Sequence, residues 1–484
     1  MNMSVLKGFE PANVLSYFEE LCKIPHGSGN TKAISDYCVQ FAKDHNLRYV
    51  QDEYNDVIIY KDGTEGFENS APVIIQGHLD MVCEKTLDST HDFMKDPLDL
   101  KVENGYLYAQ DTSLGGDDGI AIAYALAVLA SDTIAHPPIE AVFTVDEETS
   151  MLGAEKLDMS LLKGRRLLNI DSEEEGVLTC GCAGGLRQHV TFDFQKVEKE
   201  GTEIELWIKG LLGGHSGSDI HKQRGNAVKL SSRMYIHLSK TFAMDLISID
   251  GGEKDNVITY SAKMRVLVDS AQAEEFITAV REEEAIWKKE FSNDETGLNI
   301  EITNAGQKNI AVIAPADSSR IMKFIYAVPQ GLICSDRNLP GQSETSLNLG
   351  VTVTREDSVF MQFLLRSSIE TKKQSLCERV GALVELAGGR YIIDSEYPAW
   401  GYDPNSKLRP LMRDVYVKMF EEEPRVEAVH TGLECGIFGG HCEGLDSVSF
   451  GPNILDIHSI NEKLDLASVE RIWRFLLEVL KACK

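Results

Sequence analysis

Two patterns of hydrophobic and polar positions alternate along this chain. From about residue 12 to 186, helical stretches are separated by the short apolar runs DVIIY, APVIIQGHLD, PIEAVFTVDEE and RRLLNIDSE. Short buried strands separated by helices such as GIAIAYALAVLASD predict a layered α/β domain with a mostly parallel sheet. The C-terminal segment returns to this pattern, because LDSVSFGP resembles a strand and Asp465 begins an amphipathic helical stretch as its predicted cap.

The pattern changes between residues 187 and 399. Strands there alternate apolar and polar positions, as in IELWIKGLLGG, ITYSAKMRVLVD and TSLNLGVTVTRED. This alternation predicts α+β structure with antiparallel sheets. Each half of the segment offers a strand, a helix, a strand pair, a second helix and a last strand, so we expect an internal duplication that breaks near NAGQKN. The simplest architecture is one α/β domain, residues 1–186 and 400–484, split by an inserted α+β domain at 187–399.

Composition and charge narrow the classes of function. The 484 residues are 43% hydrophobic and 26% charged, enough apolar material for two or three packed domains. A formal net charge of −28 repels phosphate backbones and anionic lipids, so we expect neither nucleic acid nor a membrane as a partner. The most apolar run, 120–130, is too short to span a bilayer, and the N-terminus lacks the apolar core of a signal peptide. Ten scattered cysteines without a C-x-x-C pair favour reduced thiols, and these features together predict a cytoplasmic protein.

Acidic and histidine side chains recur where the apolar runs of the α/β part end. In an open α/β sheet, the carboxyl ends of the strands form the crevice that binds ligands. Singly, each residue has an ordinary explanation, such as a helix cap for Asp117, a solvated face for Glu147 or a satisfied loop histidine for His458. Their coincidence at one edge favours a shared site. The candidates are His78, Asp80, Asp117, Asp118, Asp146, Glu147, Glu148, Asp171 and His458.

The number of donors predicts a dinuclear metal site. Two histidines, His78 and His458, and three carboxylates suffice for two ions if one carboxylate bridges them. Each ion then has one nitrogen, one private carboxylate, the bridging carboxylate and a shared water, which suits zinc and tolerates cobalt or manganese. Asp80 is expected to orient the His78 ring. Glu147 and Glu148 diverge at a strand end, so one can bind metal while the other acts as a general base in amide hydrolysis.

The motifs GHLDMV, GGDDGIA, DEE, NID and the late histidine resemble the co-catalytic dizinc peptidases that include peptidase T, carboxypeptidase G and the carnosinases. The longer motifs IPHGSGN, GHLDMVCEK, LGGDDGIA, TVDEETSMLGA and HTGLECG resemble the aminoacyl-histidine dipeptidase branch, also called Xaa-His or cytosol non-specific dipeptidases. The resemblance covers essentially the whole chain. It implies a metal-dependent dipeptidase with two Zn²⁺ per chain, replaceable by Co²⁺ or Mn²⁺, whose inserted domain is a lid.

The resemblance also implies roles for single residues. Asp117 becomes the bridging ligand, and Asp80 and Glu147 become the catalytic residues. The implied metal ligands are His78, Asp117, Glu148, Asp171 and His458. The implied substrate-binding residues are His215 for the oxyanion, Asn256 and Arg366 for the substrate carboxylate, Gly432 for close backbone approach and Glu434 for the substrate amine. The sequence around Arg366 supports the role that the resemblance implies for it. A guanidinium in a mostly apolar strand needs an anionic partner, from the protein or from the substrate.

Rival interpretations share many of these features. A related dizinc amidase that removes acyl groups from amino acids would keep every metal ligand and differ in its pocket. A non-catalytic metal-binding protein could keep the fold, although a free base such as Glu147 beside the ligands argues against it. A thiolate zinc site is disfavoured by the spacing of its candidates, Cys180, Cys182, Cys435 and Cys442. We expect small dipeptide substrates and a chain that either is monomeric or pairs through the duplicated insert as a homodimer.

Overall fold

The computed structural model describes residues 5–484. In chain order its first elements are α1 (Ala12–Leu21), α2 (Lys32–Asp44), β1 (Arg48–Gln51), β2 (Val57–Lys61), β3 (Val73–His78), β4 (Leu100–Glu103), β5 (Tyr106–Ala109), α3 (Gly116–Ala130), β6 (Ile139–Thr144), α4 (Leu152–Lys156), β7 (Arg166–Asn169) and β8 (Val177–Cys182).

The middle of the chain continues with β9 (Gly184–Asp193), β10 (Lys196–Lys209), α5 (Ala227–Leu238), β11 (Met244–Gly251), β12 (Ala262–Val268), α6 (Ala273–Glu290), β13 (Asn299–Ile313), α7 (Pro315–Ala327), β14 (Gly331–Ser335), β15 (Ser343–Thr354), β16 (Ser358–Ser367), α8 (Glu370–Leu386) and β17 (Arg390–Tyr397). The last elements are α9 (Leu408–Phe420), β18 (Arg425–Val429), α10 (Glu434–His441), β19 (Asp446–Ser449), β20 (Ile454–Leu455), β21 (Lys463–Asp465) and α11 (Leu466–Ala482).

These elements form two compact units, each with its own hydrophobic core. Unit 1 contains the residues up to Gly181, then Tyr402–Ala428 and Leu433–Lys484, and unit 2 contains Cys182–Gly401 and Val429–Gly432. The predicted boundaries at 186/187 and 399/400 lie a few residues from these divisions. The short return of the chain to unit 2 at Val429–Gly432 is not apparent from the sequence pattern.

Unit 1 is built on an eight-stranded sheet in the order β1-β2-β6-β3-β7-β19-β8-β18. The four central strands β6, β3, β7 and β19 are parallel, whereas β1 pairs antiparallel with β2, β2 with β6 and β8 with β19. Every side chain of β3 and β6 is buried, as expected for parallel strands covered on both faces. The α/β prediction is confirmed, and parallel pairing is confined to the centre of the sheet.

The burial of α3 and the start of α11 in unit 1 are explained by their sequences. Nearly all of α3 is apolar, and it is buried on all sides. The predicted cap of α11 is confirmed, because the Asp465 carboxylate accepts hydrogen bonds from the backbone N–H groups of Ala467 and Ser468. Within residues 5–484, none of the helices has both the length and the apolar composition needed to cross a bilayer.

Unit 2 is a nine-stranded sheet in the order β13-β10-β12-β11-β15-β16-β9-β17, with β14 paired to β15. Two β-α-β-β-α-β copies supply eight of its strands, β14 is the ninth, and the copies meet where β11 pairs with β15. The first copy is β10-α5-β11-β12-α6-β13, and the second is β9-α7-β15-β16-α8-β17. The first copy ends at Ile313, four residues after the stretch NAGQKN near which the break was predicted, because residues 304–309 lie inside β13. The copies are nested, so the first strand of the second copy precedes the entire first copy.

Candidate functional site

The candidate site of unit 1 begins at the carboxyl ends of three neighbouring parallel strands. His78 is the last residue of β3 and lies beside Thr144, the last residue of β6. Glu147 and Glu148 follow the end of β6, and Asp171 follows the end of β7. Because these strands are parallel, their ends meet at one edge of the sheet.

Asp117, at the start of α3, lies between two histidines. Its Oδ1 atom is 3.1 Å from His78 Nε2, and its Oδ2 atom is 3.2 Å from His458 Nε2. Glu148 Oε2 lies 3.0 Å from the same His458 nitrogen. On the other side, Asp171 Oδ1 lies 3.7 Å from His78 Nε2. One carboxylate oxygen facing each imidazole is the arrangement that a bridging metal ligand requires.

The buried carboxylates of this cluster favour the binding of cations. Burial raises the pKa of Asp171 well above its usual value, and burial likewise raises that of Glu148. One buried oxygen of each carboxylate has no hydrogen-bond partner. Contacts with Asp117 and Glu148 raise the pKa of His458 to about 10, so the acids already favour positive charge at this position. Buried carboxylates with unpartnered oxygens, next to imidazole nitrogens, are a donor set that fits two divalent cations.

Asp117 and Asp118, which are neighbours in the sequence, make different contacts in the structure. Asp118 Oδ2 accepts a hydrogen bond from the His78 backbone N–H at 3.2 Å, so this carboxylate supports the end of β3. Only glycine fits at position 77, because an added Cβ would lie 2.5 Å from Asp118 Oδ2. Asp118 still offers an oxygen within 4.8 Å of donor atoms of His78 and Asp171. Only Asp117 directs one oxygen to each histidine.

Asp80 contacts His78 differently from the expectation. The strand ends at His78, and His78 Nδ1 hydrogen-bonds at 3.0 Å to the backbone carbonyl of Asp80, whose carboxylate is 3.5 Å away. The Asp80 carboxylate instead accepts hydrogen bonds from the hydroxyl of Ser28 and from the backbone N–H groups of Glu147 and Glu148, at 2.7, 3.1 and 3.3 Å. Asp80 therefore holds both the His78 ring and the backbone that carries the two glutamates.

Glu147 lies close to His78 and Glu148, and its carboxylate makes fewer contacts than that of Glu148. Burial raises its pKa well above the usual value, and the nearby Glu434 and Glu148 raise it further. Across residues 5–484, no hydrogen bond holds the Glu147 carboxylate, whereas Glu148 contacts His458. A carboxylate with a raised pKa and free oxygens suits a group that accepts and returns a proton.

Sequence reasoning missed Glu462, which links two loops of the site. Its buried carboxylate accepts hydrogen bonds from the backbone N–H groups of Leu114, Gly115 and Gly116, at 2.8, 3.1 and 2.8 Å, and a longer one from Asp117 at 3.4 Å. Because Glu462 lies four residues after His458, its side chain joins the loop of this histidine to the loop that carries Asp117. The available signal was the acidic residue in INEKLD, which no helix or strand pattern explains.

Glu434 lies in a buried polar network of unit 1. Its Oε2 atom accepts hydrogen bonds from Gln76 Nε2 at 2.5 Å and from the Thr144 hydroxyl at 2.7 Å, and Gln76 in turn accepts one from Asn169 at 2.6 Å. Burial raises the pKa of Glu434 to about 7. Its other oxygen, Oε1, is buried without a partner. The sequence did not point to Gln76, whose side chain lies inside an apolar strand.

The other predicted substrate residues, His215, Asn256, Arg366 and Gly432, belong to unit 2. His215 Nδ1 accepts hydrogen bonds from the backbone N–H groups of Gly217 and Ser218, at 3.2 and 3.3 Å. The proton of the neutral imidazole is therefore on Nε2, where it can be donated. Arg366 is 6% exposed and donates one hydrogen bond, to the hydroxyl of Tyr397. The motif HTGLECG is thus divided, with Gly432 in unit 2 and Glu434 in unit 1.

Comparisons with known proteins show the family and the fold of the chain. Residues 74–482 match the family model described as peptidase family M20/M25/M40. The chain is 35% identical over 481 residues to the cytosol non-specific dipeptidase of Escherichia coli K12, covering 99% of both chains. It is also similar to a crystal structure of aminoacylhistidine dipeptidase from Vibrio alginolyticus, with a TM-score of 0.92 and 35% identity, covering 99% of this chain and 98% of that one. Aminopeptidase PepT from Bacillus cereus shares the fold alone, with a TM-score of 0.56 and 13% identity over 98% of this chain and 99% of that one.

Proposed function

Because this chain belongs to peptidase family M20/M25/M40, we propose that it hydrolyses dipeptides, Xaa-His dipeptides among them, with two bound Zn²⁺ ions. Peptidases of this family depend on metal ions. The observation that carries the proposal is Asp117, which directs one oxygen to His78 and the other to His458.

The donor set divides into two halves around Asp117. His78 and Asp171 would hold one ion, His458 and Glu148 would hold the other, and Asp117 would serve both. Bound there, the two cations would lower the pKa of a water molecule and polarise the scissile carbonyl. Nitrogen and oxygen donors suit zinc and are compatible with cobalt and manganese.

The residues of the chain supply the proton transfers and the positioning. Glu147 accepts a proton from the attacking water and returns it to the leaving amine, a task that its raised pKa favours. Asp80 keeps Glu147 in place through the backbone N–H of that residue. His215, with its proton on Nε2, donates a hydrogen bond to the oxyanion that develops on the carbonyl oxygen.

Two charged groups are proposed to limit the length of the substrate. Arg366, with Asn256 and Gly432, would hold the free carboxylate of the dipeptide, since the buried guanidinium has no acidic partner among residues 5–484. Glu434 would pair with the free amine through its unpartnered Oε1 atom. A dipeptide that pairs with both groups must keep both of its ends free, so blocking either end should weaken its binding.

A substrate panel tests the proposed function directly. We expect the metal-loaded enzyme to cleave dipeptides, including Xaa-His dipeptides, and to act poorly on tripeptides, dipeptide amides and N-acyl amino acids. Measurements of kcat/KM for one matched member of each class decide between the candidates. Efficient cleavage of N-acyl amino acids with little action on dipeptides would favour the amidase alternative. Activity on none of these substrates would favour a non-catalytic protein.

Replacing Arg366 should affect free dipeptides selectively. Removing a charge-assisted contact to a carboxylate costs roughly 1.5–3 kcal/mol, which corresponds to about one to two decades in kcat/KM. We therefore expect Arg366→Ala to lower kcat/KM for a dipeptide by that factor and to leave its C-terminal amide nearly unchanged. Arg355→Ala is the matched control, because this exposed arginine lies at the far end of the β15–β16 hairpin. Equal losses on the acid and the amide would show that Arg366 is structural.

Location and assembly complete the proposal. The Escherichia coli relative is described as a cytosol enzyme, and we propose a cytoplasmic location for this chain as well. The chain is predicted to be either a monomer or a homodimer, and a mass measurement in solution distinguishes the two. That it binds neither nucleic acid nor membranes also stays a prediction.

A further inference from the structure

Arg366 belongs to a row of directly paired residues across four adjacent strands of unit 2. Its cross-strand partner on β15 is Ser346, and its partner on β9 is Gly185. Gly185 in turn pairs with Tyr397, the last residue of β17. Side chains that are directly opposite in an antiparallel sheet leave the same face. Gly185, which has no side chain, is therefore the gap in this row between Arg366 and Tyr397.

Tyr397 fills that gap. A Cβ atom added to Gly185 would lie 2.2 Å from the Tyr397 ring, so the ring lies directly over the glycine. From this position the Tyr397 hydroxyl accepts a hydrogen bond from Arg366 Nη1 at 2.7 Å. The backbone carbonyl of Tyr397 accepts another, at 2.7 Å, from the ammonium group of Lys373, which is completely buried. Hydrogen bonds thus hold the tyrosine at its backbone carbonyl and at its hydroxyl.

This arrangement decides which edge of the guanidinium is available. Nη1 is used by Tyr397, while Nε is buried and has no hydrogen-bond partner. The other neighbour in the row, Ser346, does not compete, because its hydroxyl is hydrogen-bonded to His430 Nε2 at 2.7 Å. The free edge is therefore the one formed by Nε and Nη2. Two parallel N–H groups along one edge match the two oxygens of a carboxylate.

We propose that Tyr397 is a positioning residue, which fixes the Arg366 guanidinium so that its Nε–Nη2 edge binds the substrate carboxylate with two hydrogen bonds. This inference rests on the proposed function, in which Arg366 holds that carboxylate. Gly185 is needed for this arrangement, because any side chain there would displace the tyrosine ring. Lys373 fixes the backbone of Tyr397 from helix α8.

Tyr397→Phe tests the proposal, because it removes the hydroxyl and keeps the ring over Gly185. We expect kcat/KM for a free dipeptide to fall about fivefold, the effect of one lost hydrogen bond, mostly through a higher KM. The amide of the same dipeptide should be cleaved as by the wild type. Tyr391→Phe is the matched control, because it makes the same chemical change on the same strand, where the ring packs against Gly381. A thermal melt of each variant checks that the fold is kept.

The double variant Arg366→Ala/Tyr397→Phe tests whether Tyr397 acts through Arg366, independently of whether Arg366 binds the substrate carboxylate. If Tyr397 acts through Arg366, adding Tyr397→Phe to Arg366→Ala should cause no further loss with any substrate. A fivefold loss that persists in the Arg366→Ala background would overturn the positioning role, as would equal losses on the acid and the amide in Tyr397→Phe alone. If Arg366→Ala lowers kcat/KM equally for the free dipeptide and for its amide, Arg366 does not bind the substrate carboxylate. Tyr397 then cannot position it for that contact.

Discussion

Chelation of divalent metal ions is expected to abolish dipeptide hydrolysis, and added Zn²⁺, Co²⁺ or Mn²⁺ is expected to restore it. The reason is the donor set around Asp117, in which two histidines and three carboxylates converge and two buried carboxylate oxygens lack any partner. Bound cations would lower the pKa of the attacking water and polarise the scissile carbonyl, and chelation removes both effects. Initial rates before chelation, after it and after metal addition measure the effect.

The control for this experiment is the same chelator saturated with Zn²⁺ beforehand, which should not inhibit. Metal content per chain, measured on the same samples, should be two ions before chelation. Asp117→Asn should lose both ions because its oxygens serve both halves of the site, whereas Asp171→Asn should retain the ion of the other half. Full activity in a preparation that contains no metal would refute the dinuclear interpretation.

The two neighbouring glutamates are expected to separate in their effects. Glu147→Gln should keep its metal and lose on the order of a hundredfold or more in kcat, because a general base typically contributes about 10²–10⁴-fold. Glu148→Gln should lose metal from the His458 half of the site, since Glu148 lies 3.0 Å from His458 Nε2. Metal content and kcat, both measured for each variant, distinguish a proton carrier from a ligand.

Glu155→Gln serves as the control for both variants, because this exposed glutamate lies in α4, after the same strand, and forms its ion pair with Lys156. It should change neither metal content nor kcat. The reverse result, with metal lost in Glu147→Gln and kept in Glu148→Gln, would exchange the two roles.

The part of the site that lies at strand ends was predictable from the sequence. His78, Glu148 and Asp171 each follow an apolar run, and parallel neighbours bring such ends together at one edge. The helix cap at Asp465 and the antiparallel strands with alternating apolar and polar residues were also predictable, because both depend on local side-chain chemistry. The family resemblance, stated from the motifs, is confirmed by the match to the family model and by the full-length relatives.

Contacts between distant loops were not predictable. Glu462 binds backbone N–H groups some 345 residues away, and the carboxylate of Asp80 binds Ser28 and the backbone after β6. No local periodicity encodes such contacts, because they depend on how loops fold back over the sheet. The choice between Asp117 and Asp118 likewise depends on backbone geometry at the start of α3, where both residues depart from helical φ and ψ.

The nested copies of unit 2 impose an order on folding during synthesis. Strand β9 ends at Asp193, yet its first partner, β16, begins only at Ser358, whereas the strands of the inner copy all lie between Lys196 and Ile313. At about 5–20 residues per second, the ribosome needs roughly 8 to 33 s to supply the chain between β9 and β16. During that interval the inner copy can form its four-stranded sheet while β9 stays unpaired. The strand that carries Gly185 is therefore made early, and both of its partner strands are present only when β17 has emerged.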